Sequence, residues 1–184
     1  RWSKTFVQNL WRINWGNRYL QKSFRQLLKE YDMMTDFIDE QTALLKQLSQ
    51  TKRYEERLAI LTSAPGIGWI AAMEILLELQ NVERFQRADQ LAAYVGLTPS
   101  QFSTGDNVRM GHITKQGKAS VRTLLVQAAW VAIKKDDVLR EKYESIKVRA
   151  GGKRAIVAVA RILILRLRRI LLEQKPYALG VVQA

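Results

Sequence analysis

The stretch Gln101-Phe102-Ser103-Thr104-Gly105 places a hydroxyl beside a glycine in the least regular part of the chain. A serine there is exposed enough to approach a phosphorus atom, whereas a core serine is hydrogen-bonded away. Its oxygen is a poor nucleophile unless cations or a metal offset the charge that builds up on attack. Arg109, Lys115, Lys118 and Arg122 follow within a short span and could supply those cations. Taken alone, the same serine reads as an ordinary turn residue. Composition limits other chemistries. The chain has no cysteine, so disulfides and cysteine zinc sites lack their residues, and its single histidine argues against a histidine-rich metal site or a Ser-His-Asp triad. No metal site is read from the sequence. His112, beside Gly111, is given a surface or phosphate contact and no catalytic role.

Charge points to the partner. Lys and Arg number 30 against 17 Asp and Glu, and the excess is localised. Residues 1–50 hold 8 basic and 5 acidic side chains, residues 51–108 hold 5 and 7, and residues 109–184 hold 17 and 5. A polyanion is the natural ligand of the last third, since neutralising phosphates releases counterions. Lys153, Arg154, Arg161, Arg166, Arg168 and Arg169 punctuate an apolar helical pattern there, so one stripe packs and another faces outward. Some of these contact phosphate; which ones the pattern leaves open. Pro65-Gly66-Ile67-Gly68 lies between two helical stretches. Such a turn can aim backbone amides at a phosphate from the start of the following helix. It resembles the helix-hairpin-helix motif that grips a duplex backbone without reading sequence. Few basic residues flank it, and a plain packing turn reads equally well.

Several elements must position these groups. From about Asn17 to Gln50, apolar residues recur at Leu20, Phe24, Leu27, Tyr31, Met34, Ile38, Leu45 and Leu48, with Gln41 out of place. This is the spacing of a coiled-coil seam. It needs a covering helix, from a second chain or from later in the same chain, with self-association through residues 17–50 favoured. Trp2, Phe6, Trp11, Ile13 and Trp15 form a hydrophobic knob upstream. Residues 51–61 form a short helix, the glycine turn follows, and WIAAMEILLEL is helical again. Asn81 to Ala88 is a polar connection, and Asp89 could cap a helix ending near Gly96. Residues 98–118 read as loop or short hairpin, with glycines at 105, 111 and 117. Ala119–Lys135 and Lys153–Gln174 read as helices, separated by a charged stretch that stops at Ala150-Gly151-Gly152. The expected fold is mainly α: a coiled-coil-like helical arm over 1–50, then a compact helical domain over 51–184 with a helix-hairpin-helix and a glycine-punctuated active loop.

No stretch reads as a membrane span; the best, Ala155 to Leu172, is broken by Arg161, Arg166, Arg168 and Arg169. Nor does the start read as a signal peptide, and a cytoplasmic setting is expected. Beginning at Arg1 rather than Met suggests a piece of a longer protein.

The ordered motifs from Gly96 to Trp130 resemble the C-terminal transposase domain of the IS-one-ten family, the Piv/MooV group of insertion-sequence transposases and DNA invertases. The matching strings are Gly96-Leu97-Thr98-Pro99, then Ser103-Thr104-Gly105, then Gly111-His112-Ile113-Thr114-Lys115-Gln116-Gly117 with Arg122 after it. LTSAPGIGWIAAMEILLEL and GGKRAIVAVARILI resemble the family's entry hairpin and closing helix, so the likeness runs from Leu58 to Leu172. The resemblance implies a serine, matched by Ser103, that attacks a DNA phosphate and forms a 5′-phosphoserine link. It implies multimers, a bridge RNA guide in several members, and an N-terminal RuvC-like domain whose four acids bind Mg2+. That acidic domain is missing from this sequence, so the chain alone is expected to be inactive or very weak in cleavage. Many relatives carry two serines where this chain has Ser103 and Thr104. The rival readings are a non-catalytic helix-hairpin-helix DNA-binding and oligomerisation module, and a coiled-coil assembly domain whose basic helix contacts RNA or protein.

Overall fold

A computed structural model of the chain describes residues 2–104, 107–114 and 116–180, with the backbone alone given for 101–104 and 107–110. The chain divides into two units between Leu48 and Ser49.

In the first unit, helix α1 (Lys4–Arg12) starts on Ser3, whose hydroxyl accepts the Phe6 amide at 3.2 Å. Helix α2 (Arg18–Ser49) starts on Asn17, whose side chain accepts the amides of Tyr19 and Leu20. Such caps satisfy the orphan donors of a first turn. The tryptophan-rich knob is α1 and its flanks folded onto α2. Trp2 stacks on Tyr31 at 5.0 Å, Trp15 meets Phe24 edge-on at 5.3 Å, and Trp11 Nε1 donates to Asp32. Leu28 is buried beneath them. The seam therefore splits. Phe24 and Tyr31 meet the rings of Trp15 and Trp2, which flank the upstream helix, an occupant the sequence did not suggest, while Leu20, Leu27, Met34 and Ile38 stay exposed.

The second unit runs α3 (Glu55–Thr62), α4 (Trp69–Leu79), a single 3-10 turn (Val82–Arg84), α5 (Ala88–Tyr94), β1 (Pro99–Thr104), β2 (Asn107–Ile113), α6 (Ala119–Lys135), α7 (Asp137–Ala150) and α8 (Gly152–Glu173). Helix α8 is the axis, in contact with α3, α5, α6, α7 and the 3-10 turn. Its wide apolar face buries Val159, Leu163, Ile164 and Leu167 completely. Ala128, Ala129 and Ala132 on α6 and Ala155 and Ala160 on α8 are small enough to let the backbones approach closely, and all are buried.

Two local assignments from sequence are corrected. The charged stretch after Lys135 is helix α7, because Leu139, Tyr143 and Ile146 recur at helical spacing and are buried. Asp136 joins it to α6: its Oδ1 accepts the Leu139 amide at 3.1 Å and caps α7. Asp89 does not cap α5; Arg87 occupies that position, and the Gln90 side chain accepts its amide.

Candidate functional site: the serine hairpin and the basic face of the last helix

Of the two readings for residues 98–118, loop or short hairpin, the strand pair β1 and β2 agrees with the second. β1 and β2 pair antiparallel, with Phe102 opposite Arg109, Ser103 opposite Val108 and Thr104 opposite Asn107, and a shift in register between Pro99 and Gln101. Gly105 and Asp106 lie outside the described residues. The alternation of Phe102, Val108 and Met110 with polar residues suits a two-stranded ribbon. Ser103 is thus one residue pair back from the end of the ribbon. At about 3.3 Å per residue its backbone stands roughly 13 Å beyond Pro99.

The base of the ribbon is held by short-range bonds. The Thr114 amide donates to Thr98 O at 2.9 Å, and Ser100 Oγ donates to His112 O at 3.0 Å. Gly117 has φ +121°, and a Cβ there would meet the Tyr94 carbonyl, so only glycine lets the chain pass this close to α5. Lys118 follows at the start of α6. Its Nζ pairs with Glu78 at 2.9 Å, and Tyr94 Oη donates to the same carboxylate at 2.7 Å. These bonds, Lys118 first and Tyr94 second, hold the Glu78 carboxyl below the usual carboxylate range. The same contact raises the Lys118 ammonium above the ordinary lysine value. Arg122 Nη1 donates to Val95 O at 3.0 Å and is half-buried. Two of the four cations read as phosphate contacts therefore have duties in seating the ribbon. Arg109 is described by its backbone only, and Lys115 lies outside the described residues. Sequence reasoning missed Glu78 and Tyr94. Nothing local marks them, since they meet Lys118 only through the fold.

The glycine turn between α3 and α4 faces largely inward. Ala64, Pro65 and Ile67 are buried. Gly66 has φ +84°, and a Cβ on it would stand 2.5 Å from the carbonyl oxygen of Ala128. Its lack of a side chain lets the turn lie against α6. Gly68 is exposed and begins α4 with no side-chain cap. The Tyr177 amide donates to Ser63 Oγ at 2.8 Å, tying the C-terminal segment to the same turn.

The six basic residues of α8 differ sharply in employment. Arg166 is buried, pairs with Asp136 at 2.8 Å and bonds Tyr177 Oη. Arg168 donates to the carbonyls of Phe85 and Gln86. Arg169 pairs with Glu173 and Arg161 with Asp89, at 2.5 and 2.7 Å. Lys153 and Arg154, on the first turn, are exposed and hold no ion pair among the described residues. Lys153, Arg154 and Arg161 share a cavity with His112 at the base of the ribbon.

Among the described residues no three His, Asp or Glu side chains gather to hold a metal ion. No described helix is long and apolar enough to cross a membrane.

Known proteins resemble the chain over this same region. The family described as Transposase IS116/IS110/IS902 family matches residues 58–144, from α3 through the serine ribbon and α6 into α7. The transposase for insertion sequence element IS1111A of Coxiella burnetii is 29% identical over 147 residues, covering 78% of this chain and 38% of that protein. A protein of Pseudomonas aeruginosa named "Probable family 20 transposase" is 32% identical over 110 residues, 59% of this chain and 32% of that one. The transposase for insertion sequence element IS1328 of Yersinia enterocolitica is 30% identical over 113 residues, 61% and 33%. The chain thus spans about a third of the length of these relatives. Over residues 58–144, in the unit that carries the serine ribbon, this chain is similar to the transposase IS116/IS110/IS902 family.

Proposed function

We propose that this chain supplies the serine nucleophile and part of the phosphate-contacting surface of a DNA transposase. The observation that carries the reading is the position of Ser103 beside the end of a ribbon in the segment that the family match covers. A residue at such an end reaches outward from a fixed base, which suits attack on a phosphate of a bound strand. In the step, Ser103 Oγ attacks the phosphorus of a phosphodiester. An O–P bond forms, the bond to the 3′ oxygen breaks, and the serine proton passes to that leaving oxygen. The products are a 5′-phosphoserine and a free 3′ hydroxyl, and reversal on another 3′ hydroxyl exchanges strands. The transfer conserves one phosphodiester-type bond, so it needs no external energy source.

Cations near the attacked phosphate would offset the developing charge. Arg109 and Lys115 are assigned that part, Lys118 and Arg122 being engaged at the base of the ribbon, with Lys153 and Arg154 holding backbone further along. Gly68, at the open start of α4, keeps its helix-hairpin-helix assignment as a backbone contact. Gly66 and Ile67 shape the turn. Mg2+ belongs to an acidic domain of the longer protein, and a guide RNA is a further assigned partner. The exposed stripe Leu20, Leu27, Met34 and Ile38 of α2 is assigned to self-association.

The test uses the full-length protein with element-end DNA, guide RNA and magnesium, denatured and run on a gel for a protein–DNA adduct. An adduct that Ser103→Ala abolishes, with DNA affinity kept, supports the reading. Binding without an adduct, unchanged by Ser103→Ala, leaves the alternative of a non-catalytic DNA-binding and oligomerisation module.

A further inference from the structure

Between the base of the ribbon and the first turns of α8 lies a cavity of about 910 Å3. Small-molecule sites typically fall between about 300 and 1,000 Å3. Its floor is aliphatic: Leu97, Ile113, Val157 and Ala158. Its rim carries the cations Lys153, Arg154 and Arg161 and the imidazole of His112. Among the described residues no carboxylate lines it, and the nearby Asp89 is paired with Arg161 at 2.7 Å. A second apolar cavity, between the first turns of α4 and α6, is about as large at 870 Å3 but carries Glu74 and, among the described residues, no cation. The difference matters because an anion is repelled at the second and attracted at the first.

A floor of aliphatic carbon under Lys153 and Arg154, which hold no ion pair among the described residues, fits a ligand with an apolar plate and a negative edge. A nucleotide has both. In a duplex the faces of the plate are stacked inside and out of reach of a floor, and the protein meets phosphates, sugars and base edges instead. In an unpaired strand the base can turn out onto a protein surface, flanked by planar groups such as imidazole and guanidinium. We propose that this cavity holds an unpaired nucleotide of the bound nucleic acid. Its base lies on the Leu97, Ile113, Val157 and Ala158 floor, and its phosphates lie on Lys153 and Arg154. The proposal rests on the reading of the chain as nucleic-acid-handling and adds strand state to it. The cavity stands at the fixed end of the ribbon, roughly 13 Å along β1 from the backbone of Ser103. A strand anchored there is held beside the proposed point of attack.

The experiment uses this chain with a 20-nucleotide single strand carrying one 2-aminopurine, and with the same strand annealed to its complement. Emission of the 2-aminopurine rises when its base leaves the stack, so a rise on binding the single strand is expected. Ala158→Glu puts a carboxylate on the floor and should weaken single-strand binding about tenfold, what contact to one unstacked base is worth. Duplex binding should change less than about twofold, the scale of a peripheral charge on a surface held by other cations. Val157→Gln serves as a second floor variant, with circular dichroism as the check on folding. If both variants weaken the two ligands equally, or neither, the nucleotide pocket is overturned and the nucleic-acid reading stands. Unchanged emission in the bound single strand overturns the pocket without any variant. If the chain binds neither ligand at low salt, the underlying reading fails with it.

Discussion

The two ends of helix α8 carry similar residues and put them to opposite uses. Near the C-terminal end Arg166 and Arg168 are built into the fold, one to a buried carboxylate and the other to two backbone carbonyls. At the N-terminal end Lys153 and Arg154 contact no acid among the described residues and stand in the open beside a cavity. Both ends contribute equally to a net charge of +13, but only one leaves that charge available. A count of cations in a sequence therefore measures an upper bound on an interface. What separates the two ends is whether the fold brings an acceptor within reach, and acceptors here come from far away in sequence: Asp136, Phe85 and Gln86.

The comparison predicts graded losses of stability along one helix. Arg166→Ala should be the most damaging, costing about 3–5 kcal/mol because it strands Asp136 in the interior. Urea denaturation measures it, and a cost under about 1 kcal/mol would erase the distinction between the ends. Arg168→Ala should cost less, about 1–3 kcal/mol, since the Phe85 and Gln86 carbonyls lose their donor where some water can reach them. The same titration ranks the two.

At the other end the expectation reverses. Lys153→Gln with Arg154→Gln should leave stability within about 0.5 kcal/mol, as for surface positions with no partner. Binding to nucleic acid should lose salt dependence instead, by about 0.7–0.9 in the log–log slope for each phosphate contact removed. Affinity measured across a series of salt concentrations reads this directly. An unchanged slope would show that these two cations, though open, are not the ones that meet phosphate.

The same contrast explains what could be read without the structure. Periodicity gave the helices well, because each long helix buries a stripe that repeats within itself, as in the α8 run Ala155, Val159 and Leu163. It undersold α7, whose charged exposed face outnumbers Leu139, Tyr143 and Ile146. The ribbon was legible only as loop or short hairpin, since glycines at 105, 111 and 117 mask the alternation between them. Ser103 stood out through its neighbours in sequence. The duties of Lys118 and Arg122 did not, because Glu78 and the Val95 carbonyl are brought to them by tertiary packing across 40 and 27 positions. The upstream partner of α2 was hidden for a related reason. A tryptophan-rich knob gives no helical period to match against the seam, and Trp11 finds Asp32 only once the chain has turned back.

The smallest expected effect tests how tightly the employed end is closed, and it concerns Tyr177. Its hydroxyl donates to Asp136 Oδ2 at 2.7 Å and accepts from Arg166, completing the buried pair. Burial first, and the bond to Asp136 second, push the phenol up to about 12. The unfolded phenol titrates near 10. As pH rises past 10, the unfolded chain gives up this proton while the folded chain keeps it, so the unfolded state is favoured. The contribution of Tyr177 is complete below pH 10 and is lost progressively toward about 12. Tyr177→Phe removes the titrating group, so its stability should fall less steeply over that window than that of the unaltered chain. Lysines titrate there in both proteins, and taking the difference between the two curves cancels them. Curves that stay parallel from pH 10 to 12 would mean that the phenol is as free as one in water. The C-terminal segment would then not be sealing the Arg166–Asp136 pair, and the employed end of α8 would be more open than its geometry indicates.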